Sequence, residues 1–335
     1  MLKFPEVYNA LRQSQLENGI YSLRPIRYED RHTIRIWRNE QIFHLRQSGE
    51  LSKADQEAYF QNVVLPLFNE EQPKQLLFSF FKEGCFVAYG GLVHINWVDQ
   101  NAEVSFVMDT SLEKDFFVEF WKNYLALLKV YAFKYLGFRK IFTYAFDLRP
   151  KLYIALDEAG FIEEARLKDH CFFEGKFYDV LYHSFFNPWN GIKLREANVN
   201  DCELLFKWAN DRTVRLNSNS PDPIEWHNHE AWFQNKLSAL NTKIFIFQSV
   251  QNQSLGQLRL DYIEGEWLID YSVDSKYRGL GLGKEIVKLA LLEIPNGVFK
   301  AQVKKKNISS LKVFQSLGFT LEQSTEDSYF YKYQK

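Results

Sequence analysis

Tyr277-Arg278-Gly279-Leu280-Gly281-Leu282-Gly283-Lys284 is the stretch that says most about the fold of this 335-residue chain. It connects a predicted strand, residues 266–273, to a predicted helix, residues 283–293. Glycines let successive backbone N–H groups turn toward one point, and the start of a helix adds a positive potential there. The stretch therefore indicates a loop that could hold a phosphate group, although a glycine-rich turn taken alone could also be purely structural. Its spacing is not that of a Walker loop, and Lys304-Lys305-Lys306 stands where a dinucleotide-binding fold has an acidic residue.

The segments around this loop predict an α/β domain. The helix after the loop, for example, places Ile286, Val287, Ala290 and Leu291 on one face. The order of elements is β-α-α-β-β-β-α-β-α-β, which is typical of a mixed sheet with helices on both faces. The predicted elements are residues 192–196, 199–210, 226–240, 244–249, 255–262, 266–273, 283–293, 298–303, 309–317 and 329–333.

The chain contains an internal repeat, which predicts two copies of one fold. Several short matches occur in the same order, at offsets of 171, 173 and 158 residues. They are Leu23-Arg24 with Leu194-Arg195, Trp37-Arg38-Asn39-Glu40 with Trp208-Ala209-Asn210-Asp211, Tyr59-Phe60-Gln61-Asn62 with Trp232-Phe233-Gln234-Asn235, and Gly160-Phe161 with Gly318-Phe319. The prediction is an N-terminal extension at 1–20, a first domain at 21–186 and a second at 190–335.

The composition indicates a soluble protein with two cores. A chain of 335 residues, 46% of them apolar, is long enough for two domains. A net charge of −1 gives no electrostatic reason to expect nucleic acid or an anionic membrane as a partner. Three widely spaced cysteines and the lack of a long apolar run predict no metal, no membrane span and a cytoplasmic location. We expect a monomer or homodimer. Aromatic residues make up 17%, more than two ordinary cores need.

The loop and the elements after it resemble those of the GNAT superfamily of acyl-coenzyme A-dependent N-acetyltransferases. The shared features are Arg-x-x-Gly-x-Gly between a strand and a helix, then a strand, Asn307, a helix and Gly318-Phe319. The resemblance implies two tandem GNAT domains, each a mixed, mostly antiparallel sheet with helices on both faces and a splayed pair of central strands. It also implies acetyl-CoA as the cofactor, with its pyrophosphate on the backbone amides of the loop. The implied cofactor-binding residues are Tyr271, Ser272, Val273, Arg278, Gly279, Leu280, Gly281, Leu282, Gly283, Lys284, Asn307, Ser310 and Phe314.

The reaction implied is direct attack of an amine on a thioester, which needs a base, an oxyanion donor and an acid. In the family the oxyanion donor is a backbone N–H of the splayed strand, where Ser272 or Val273 stands here. Candidates for the base are Glu266 and Asp270, which share one face of a strand, and His229. Each carboxylate could equally form an ion pair with a nearby lysine or arginine, and a histidine on an amphipathic helix could simply be solvated.

The expected acid is missing. The family has a tyrosine four residues before the Gly-Phe pair, but this chain has Phe314, which cannot donate a proton. Ser310, Tyr329 and Tyr331 are possible replacements, although each could equally be a packing residue. This departure leaves the cofactor prediction intact and the mechanism open.

The expected acceptor is a primary amine, and an amino sugar carried on a nucleotide is the leading hypothesis. The segment 206–233 resembles acetyltransferases of the pseudaminic-acid pathway, and its Trp-x-Asn element also occurs in ribosomal-protein N-terminal acetyltransferases. A protein or peptide N-terminal acetyltransferase is therefore the second hypothesis, and a non-catalytic coenzyme A-binding scaffold is the third. The candidate substrate-binding residues are Trp208, Arg212, Arg215, Trp232 and Trp267.

The first copy has lost the phosphate loop. The corresponding segment, residues 109–118, contains no glycine and includes Glu113 and Asp115. Acidic side chains at this place repel a pyrophosphate. We expect a domain that keeps the fold without holding coenzyme A by this loop. Whether it binds the acceptor, supports its partner domain or binds a cofactor in an altered way stays open.

Overall fold

The computed structural model describes residues 4–45 and 47–335. The chain divides into two compact units, the first ending at Asn187 and the second beginning at Pro188. Residues 1–3 of the predicted N-terminal extension lie outside the described residues. The rest of that extension packs into the first unit, where Tyr8 is fully buried and its hydroxyl donates to Leu77 O at 2.9 Å.

The first unit contains an eight-stranded sheet with strand order β1-β2-β3-β4-β5-β6-β8-β7. All neighbouring strands are antiparallel except β5 and β6, which are parallel. The strands are β1 (Leu16–Asn18), β2 (Tyr21–Pro25), β3 (Leu76–Lys82), β4 (Cys85–Asn96), β5 (Asn101–Met108), β6 (Lys140–Phe146), β7 (Ile162–Phe173) and β8 (Lys176–Phe186).

Helices connect these strands. The long helix after β5 is equivalent in position to the helix that follows the predicted phosphate loop in the second copy. The helices are α1 (Arg31–Glu40), α2 (Lys53–Tyr59), α3 (Leu65–Leu67), α4 (Glu113–Lys129) and α5 (Pro150–Glu158), with π-helical turns at Phe60–Val64 and Val130–Tyr135. Ser52 and Asp55 form a capping box that starts α2.

Aromatic side chains fill the core of the first unit. Tyr8 stacks on Phe68 with ring centroids 4.0 Å apart, and Phe78 stacks on Tyr131 at 4.7 Å. Of the largest fully buried side chains among the described residues, all except Phe233 belong to this unit. The aromatic excess of the sequence is therefore mostly core packing in the first unit.

The second unit contains a seven-stranded sheet with strand order β14-β15-β13-β12-β11-β10-β9, in which only β12 and β13 are parallel. Its strands are β9 (Lys193–Glu196), β10 (Thr242–Gln248), β11 (Ser254–Ile263), β12 (Glu266–Val273), β13 (Val298–Lys304), β14 (Thr320–Ser324) and β15 (Ser328–Gln334). Its helices are α6 (Cys202–Ala209), α7 (Arg212–Asn217), α8 (Trp226–Ser238), α9 (Leu282–Leu292) and α10 (Ile308–Ser316).

Two elements of the second unit are absent from the sequence prediction. Helix α7 lies between the predicted helices at 199–210 and 226–240, and it begins because Asp211 Oδ1 accepts from Thr213 N and Val214 N. Strand β14 has all five residues exposed, so it shows no apolar alternation. The predicted apolar face of α9 is confirmed, since Ile286 and Val287 are fully buried.

Each sheet contains a pair of parallel strands that separate after three residue pairs. In the second unit β12 and β13 pair only from Glu266 to Leu268 with Val298 to Lys300. In the first unit β5 and β6 pair only from Asn101 to Glu103 with Lys140 to Phe142. The predicted fold class is thus confirmed, and the gap beyond each pair exposes backbone groups at a strand edge. No helix in the described ranges is both long and apolar enough to cross a bilayer.

Candidate active site

The predicted phosphate loop forms a cradle of backbone N–H groups at the start of α9. Gly279 and Gly281 have left-handed backbone conformations, with φ of +80° and +85°. Among the described residues, nothing lies within 4 Å of the position that a Cβ at Gly279 would take. No side chain in this part of the chain caps α9, so its first N–H groups remain available to an external acceptor. These features fit a pyrophosphate.

Buried leucines and Arg278 hold the loop in place. Leu280 and Leu282 are almost fully buried, whereas Lys284 is exposed. Arg278 Nε donates to Val273 O at 3.0 Å. Its Nη2 donates to Asp211 Oδ1 at 2.8 Å. The guanidinium therefore binds the loop to the end of β12 and to the start of α7.

Trp189 is a loop contact that sequence reasoning missed. Its Nε1 donates to Leu280 O at 3.1 Å. Its ring lies 3.4 Å from the position of a Cβ at Gly281. An aromatic side chain thus covers one side of the loop, and a side chain at Gly281 would meet it. The residue stands in the seam between the two repeats, where nothing in the sequence distinguishes it from a linker residue.

Trp208 is a core residue, and this corrects the prediction that it binds the substrate. Its ring is 4% exposed and packs with Phe233 and Ile246. Its Nε1 donates to Asp274 Oδ2 at 2.7 Å. Asn210 of the same Trp-x-Asn element exchanges two hydrogen bonds with the backbone of Ile224. The element therefore fastens the loop region to α6 and leaves no ring face for a ligand.

The backbone of β12 presents alternate N–H groups to the gap. Asp274 N donates to Leu255 O at 2.9 Å. The antiparallel register between β11 and β12 is unbroken. Ser272 N–H therefore also points toward β11, and the N–H groups of Val273 and Tyr271 point toward the gap. Of the two predicted oxyanion donors, the geometry favours Val273 over Ser272.

A hydroxyl pair lies beside the gap where the family tyrosine is missing. Tyr271 and Ser310 hydroxyls are 3.0 Å apart. The Tyr271 ring packs against Phe314, and a Cβ at Gly283 would approach this ring to 3.1 Å. Burial raises the pKa of Tyr271. The hydroxyl therefore keeps its proton at neutral pH, between the first turns of α9 and α10.

Asn307 and Phe314 occupy fixed positions at α10. Asn307 is the N-cap of the helix, and its Oδ1 accepts from Ser310 N at 3.2 Å. Its amide group is positioned by this contact at the mouth of the gap. Phe314 is buried against Phe319 and Tyr331. The Tyr331 hydroxyl accepts from Gln315 Nε2, so this predicted replacement acid serves packing.

Asp270 lies beside the gap, and Glu266 lies at the closed end of the strand pair. Asp270 is more than half exposed and contacts Arg259 Nη2 at 3.1 Å. Glu266 stands directly opposite the first residue of β13 and contacts Lys300 at 2.8 Å. The hydrogen bond from Lys300, together with Lys332, lowers the pKa of Glu266. Its carboxylate is therefore a bound partner of two ammonium groups.

His229 is buried inside the second unit, which corrects its prediction as a base. Its side chain is 2% exposed, and Nε2 lies 3.2 Å from Cys202 O. The ring is surrounded by Phe206, Trp232 and Phe233. Burial lowers the pKa of His229. A neutral imidazole among rings has no route to an amine.

The remaining predicted substrate residues do not form one wall. Trp232 lies under Arg259 at 5.1 Å, on the face of the sheet that carries Asp270. Trp267 shares the opposite face with Tyr271 and packs on Tyr262. Arg215 donates to the carbonyls of Ser220 and Asp222 and so holds their loop. Arg212 is exposed.

Polar groups of several kinds surround the loop and the strand gap. They are the backbone N–H groups of the loop and of β12, the hydroxyls of Tyr271 and Ser310, and the carboxylate of Asp270. The described part of the chain offers no candidate metal centre, since no three His, Cys, Asp or Glu side chains come together there.

Comparison with protein families identifies both halves of the chain. Two family models described as acetyltransferase (GNAT) domains match it, one over residues 192–320 and the other over residues 23–182. A curated relative, an uncharacterized protein from Methanocaldococcus jannaschii, is 28% identical over 138 residues, or 38% of this chain. The match covers 28% of that relative, so the chain spans about a quarter of its length.

Solved structures are similar to parts of this chain at low identity. A domain from Methanocaldococcus jannaschii is 23% identical, covers 43% of this chain and 99% of that chain, and has a TM-score of 0.40. Spermidine N-acetyltransferase from Vibrio cholerae, solved with CoA and spermine, is 18% identical, covers 51% of this chain and 97% of that chain, and has a TM-score of 0.45. These likenesses concern the fold alone.

Proposed function

The chain belongs to the GNAT acetyltransferase family, with two such domains in tandem, and on that premise we propose that its second domain transfers an acetyl group from acetyl-CoA to a primary amine. The observation that carries the proposal is the loop at 278–283, which has two left-handed glycines, an uncapped helix start and an adjacent strand gap. Bound acetyl-CoA supplies the acetyl group as a reactive thioester.

The residues of the loop hold the cofactor mainly through their backbone. The N–H groups from Gly279 to Gly283 would bind the pyrophosphate, as expected for an anion at a helix N-terminus. Trp189 shields one side of this cradle from solvent. Arg278 keeps the loop against Val273. The Asn307 amide, fixed by its capping contact, would hold the pantetheine arm.

Asp270 is the proposed base. It is the carboxylate of β12 that lies beyond the point where β12 and β13 separate. It is open to solvent, so it can take the ammonium proton directly or through a water. Arg259 contacts Asp261 as well as Asp270 and thereby fixes the position of the base. The N–H of Val273 is the proposed donor to the oxyanion that develops during attack.

The Tyr271 hydroxyl is the proposed acid for the departing thiolate. It keeps its proton because burial raises its pKa. Its contact with Ser310 gives it an orientation and a second hydroxyl through which the proton can be replaced. In this proposal the pair replaces the tyrosine that the chain lacks at Phe314.

The proposed acceptor is an amino sugar carried on a nucleotide. Lys304 Nζ lies 3.4 Å from Leu216 O, so the end of β13 and the end of α7 meet. Arg212 is exposed at the start of α7, and Lys305 and Lys306 follow β13 directly. This concentration of positive charge supports an acceptor with phosphate groups and disfavours a polyamine.

The proposal is tested by coenzyme A release from the full chain with a panel of amines. The panel contains nucleotide-linked amino sugars, the free amino sugars, spermidine and a peptide with an N-terminal alanine. We expect the highest kcat/KM with a nucleotide-linked amino sugar. Release with the peptide alone would favour the protein N-terminal acetyltransferase hypothesis. Tight acetyl-CoA binding without turnover of any amine would contradict the proposal that the protein is an acetyltransferase.

A further inference from the structure

The first unit contains a cavity of about 1130 Å³ where its own parallel strands separate. Ser105 on β5 and Thr143 on β6 line it, and both lie just beyond the three paired residues of these strands. Small-molecule sites usually measure about 300 to 1,000 Å³. The cavity is therefore large enough for a ligand of nucleotide size.

The cavity cannot hold a pyrophosphate as the second unit does. Asp109 turns the chain after β5 in the same way as Asp274 does after β12, each accepting a hydrogen bond from the N–H two residues later. A single 3₁₀ turn at Thr110–Leu112 then leads directly into α4. No glycine loop intervenes, and Glu113 and Asp115 stand in the first turn of the helix. Their charge disfavours an anion at the start of this helix.

Two arginines line the cavity at positions where the second unit has neutral residues. Arg38 stands in the repeat where the second unit has Ala209. The match is supported by the next residue, since Asn39 exchanges hydrogen bonds with Leu51 as Asn210 does with Ile224.

Arg149 matches Asn307. Each residue immediately precedes the helix that ends at a Gly-Phe pair. The first unit has therefore gained two guanidinium groups at the strand gap, one of them at the position of the pantetheine asparagine.

Within the described residues, neither arginine has a carboxylate at hydrogen-bond distance. Arg38 donates to the Tyr89 hydroxyl and to Gln47 Oε1, and within the described residues it has no carboxylate partner. Arg149 contacts Glu113 at 3.8 Å, beyond hydrogen-bond distance. Burial and the positive charges of Arg149 and Arg38 lower the pKa of His44, which also lines the cavity, to about 3. The two guanidinium groups thus form a candidate anion site, in a cavity that Asp55 and Glu103 also line.

Two buried polar groups on the cavity wall lack partners among the described residues. Thr143 Oγ1 and Trp121 Nε1 make no hydrogen bond there, although each residue is 3% exposed. An unpartnered buried donor costs about 1–3 kcal/mol, so such groups normally face a ligand or water. Their position predicts hydrogen-bond acceptors on the occupant.

Partly exposed rings form the outer walls of the cavity. Tyr59, Trp97 and Tyr144 line it and keep part of each ring exposed. Trp97 is fixed in orientation because its Nε1 donates to Pro73 O at 2.9 Å. Fixed, exposed aromatic faces favour a flat group that can stack on them.

We propose that this cavity binds a small organic phosphate with a planar ring, of the nucleoside 5′-monophosphate kind. Its phosphate lies between Arg38 and Arg149, its ring stacks on the aromatic wall, and its polar atoms bind Thr143 and Trp121. This site is separate from acetyl transfer in the second domain and does not depend on it.

The test is calorimetric titration of the full chain with the four ribonucleoside 5′-monophosphates, the corresponding nucleosides and inorganic phosphate. Saturating coenzyme A keeps the loop of the second domain occupied. We expect at least one monophosphate to bind, with its nucleoside and inorganic phosphate each weaker by about tenfold or more. Acetyl-CoA turnover is measured in parallel, so that failure of the proposed transfer is seen separately.

Variants locate the binding. Arg38→Gln and Arg149→Gln should each weaken the monophosphate by about ten- to hundredfold. Arg166→Gln, an exposed arginine of the same unit paired with Asp147, is the control and should leave the affinity unchanged. Thr143→Val should weaken binding without lowering the melting temperature, because it removes a hydroxyl that has no partner in the described part of the protein.

Three results would overturn the proposal. They are no binding of any monophosphate at millimolar concentration, equal affinity for monophosphate and nucleoside, and unchanged affinity in both arginine variants. If the arginine variants have a lowered melting temperature, the affinity of Thr143→Val for the monophosphate still tests the proposal, because this substitution keeps the packing volume of the side chain.

Discussion

The indole Nε1 of Trp208 donates a hydrogen bond to Asp274 Oδ2 at 2.7 Å. Asp274 is the first residue after β12, and its other oxygen accepts from Lys276 N at 2.8 Å. One carboxylate therefore ties α6 to the turn that leads into the phosphate loop. The tryptophan therefore supports the proposed cofactor loop from inside the core.

Trp208→Phe should weaken acetyl-CoA binding although the residue is buried. The substitution keeps an aromatic ring but leaves Asp274 without its indole donor, at a cost of about 1–3 kcal/mol in the free energy of unfolding. We expect a several-fold higher Kd for acetyl-CoA by calorimetry and a lower denaturation midpoint. Trp226→Phe, on an exposed part of α8, is the control. Unchanged affinity for acetyl-CoA in Trp208→Phe would show that the turn at Asp274 keeps its conformation without the indole hydrogen bond.

Asp270→Asn and Glu266→Gln should differ in activity. Asp270 lies beside the strand gap, and Glu266 is bound by Lys300 at the closed end. We expect kcat to fall about a hundredfold in Asp270→Asn, as for loss of a general base, and to change less than about twofold in Glu266→Gln. Initial rates of coenzyme A release measure both. The reverse ranking would assign the base to Glu266.

Tyr271→Phe tests the proposed acid. We expect a lower kcat, by about a hundredfold, with little change in the KM for acetyl-CoA, because the hydroxyl acts on the leaving thiolate. Tyr331→Phe, which removes a hydroxyl that accepts from Gln315, is the matched control. Since burial raises the pKa of Tyr271, the wild-type rate should not fall through loss of this proton near neutral pH. A KM effect alone would make Tyr271 a binding residue.

His44 should make the first unit less stable in acid. Its pKa is lowered from 6.5 to about 3 by burial and by Arg149 and Arg38. The unfolded chain therefore binds a proton that the folded chain refuses, and stability is lost as the pH falls from 6.5 toward 3. The slope is about 1.4 kcal/mol per pH unit for this residue. The pH profile of His44→Gln in urea denaturation should be flatter by this amount.

The exposed His94 provides the control for that profile. His94→Gln should retain the wild-type slope, since its side chain is mostly exposed in the folded unit. Identical slopes for wild type and His44→Gln would contradict the burial of a neutral imidazole at His44.

The phosphate loop could be predicted from sequence because its backbone conformation is encoded locally. Gly279 and Gly281 adopt φ values that other residues avoid, and the next residues begin a helix. The contacts that hold the loop could not be predicted. Trp208 and Asp274 are 66 positions apart, and Arg278 and Asp211 are 67 apart. Such pairs are determined by tertiary packing, on which periodicity carries no information.

The sequence prediction lacks some elements for a different reason. Strand β14 is exposed at a sheet edge, so no apolar alternation reveals it. In the sequence, the cavity of the first unit is indicated only by the repeat, in which Arg38 matches Ala209 and Arg149 matches Asn307. These two differences can be interpreted as a binding site only when the strand gap and the unpartnered Thr143 hydroxyl are known.

The most direct test of acetyl-CoA binding at the phosphate loop is calorimetric titration of the cofactor into the full chain and into Gly281→Glu. We expect one site per chain, and its loss in Gly281→Glu, where a charged side chain fills the cradle beside Trp189. Gly265→Ala carries similar backbone strain in a hairpin away from the loop, and Glu113→Ala alters the first unit, so both should keep the site. Unchanged binding in Gly281→Glu would contradict the assignment of the cofactor to this loop, whereas two sites per chain would show that the first unit also binds it.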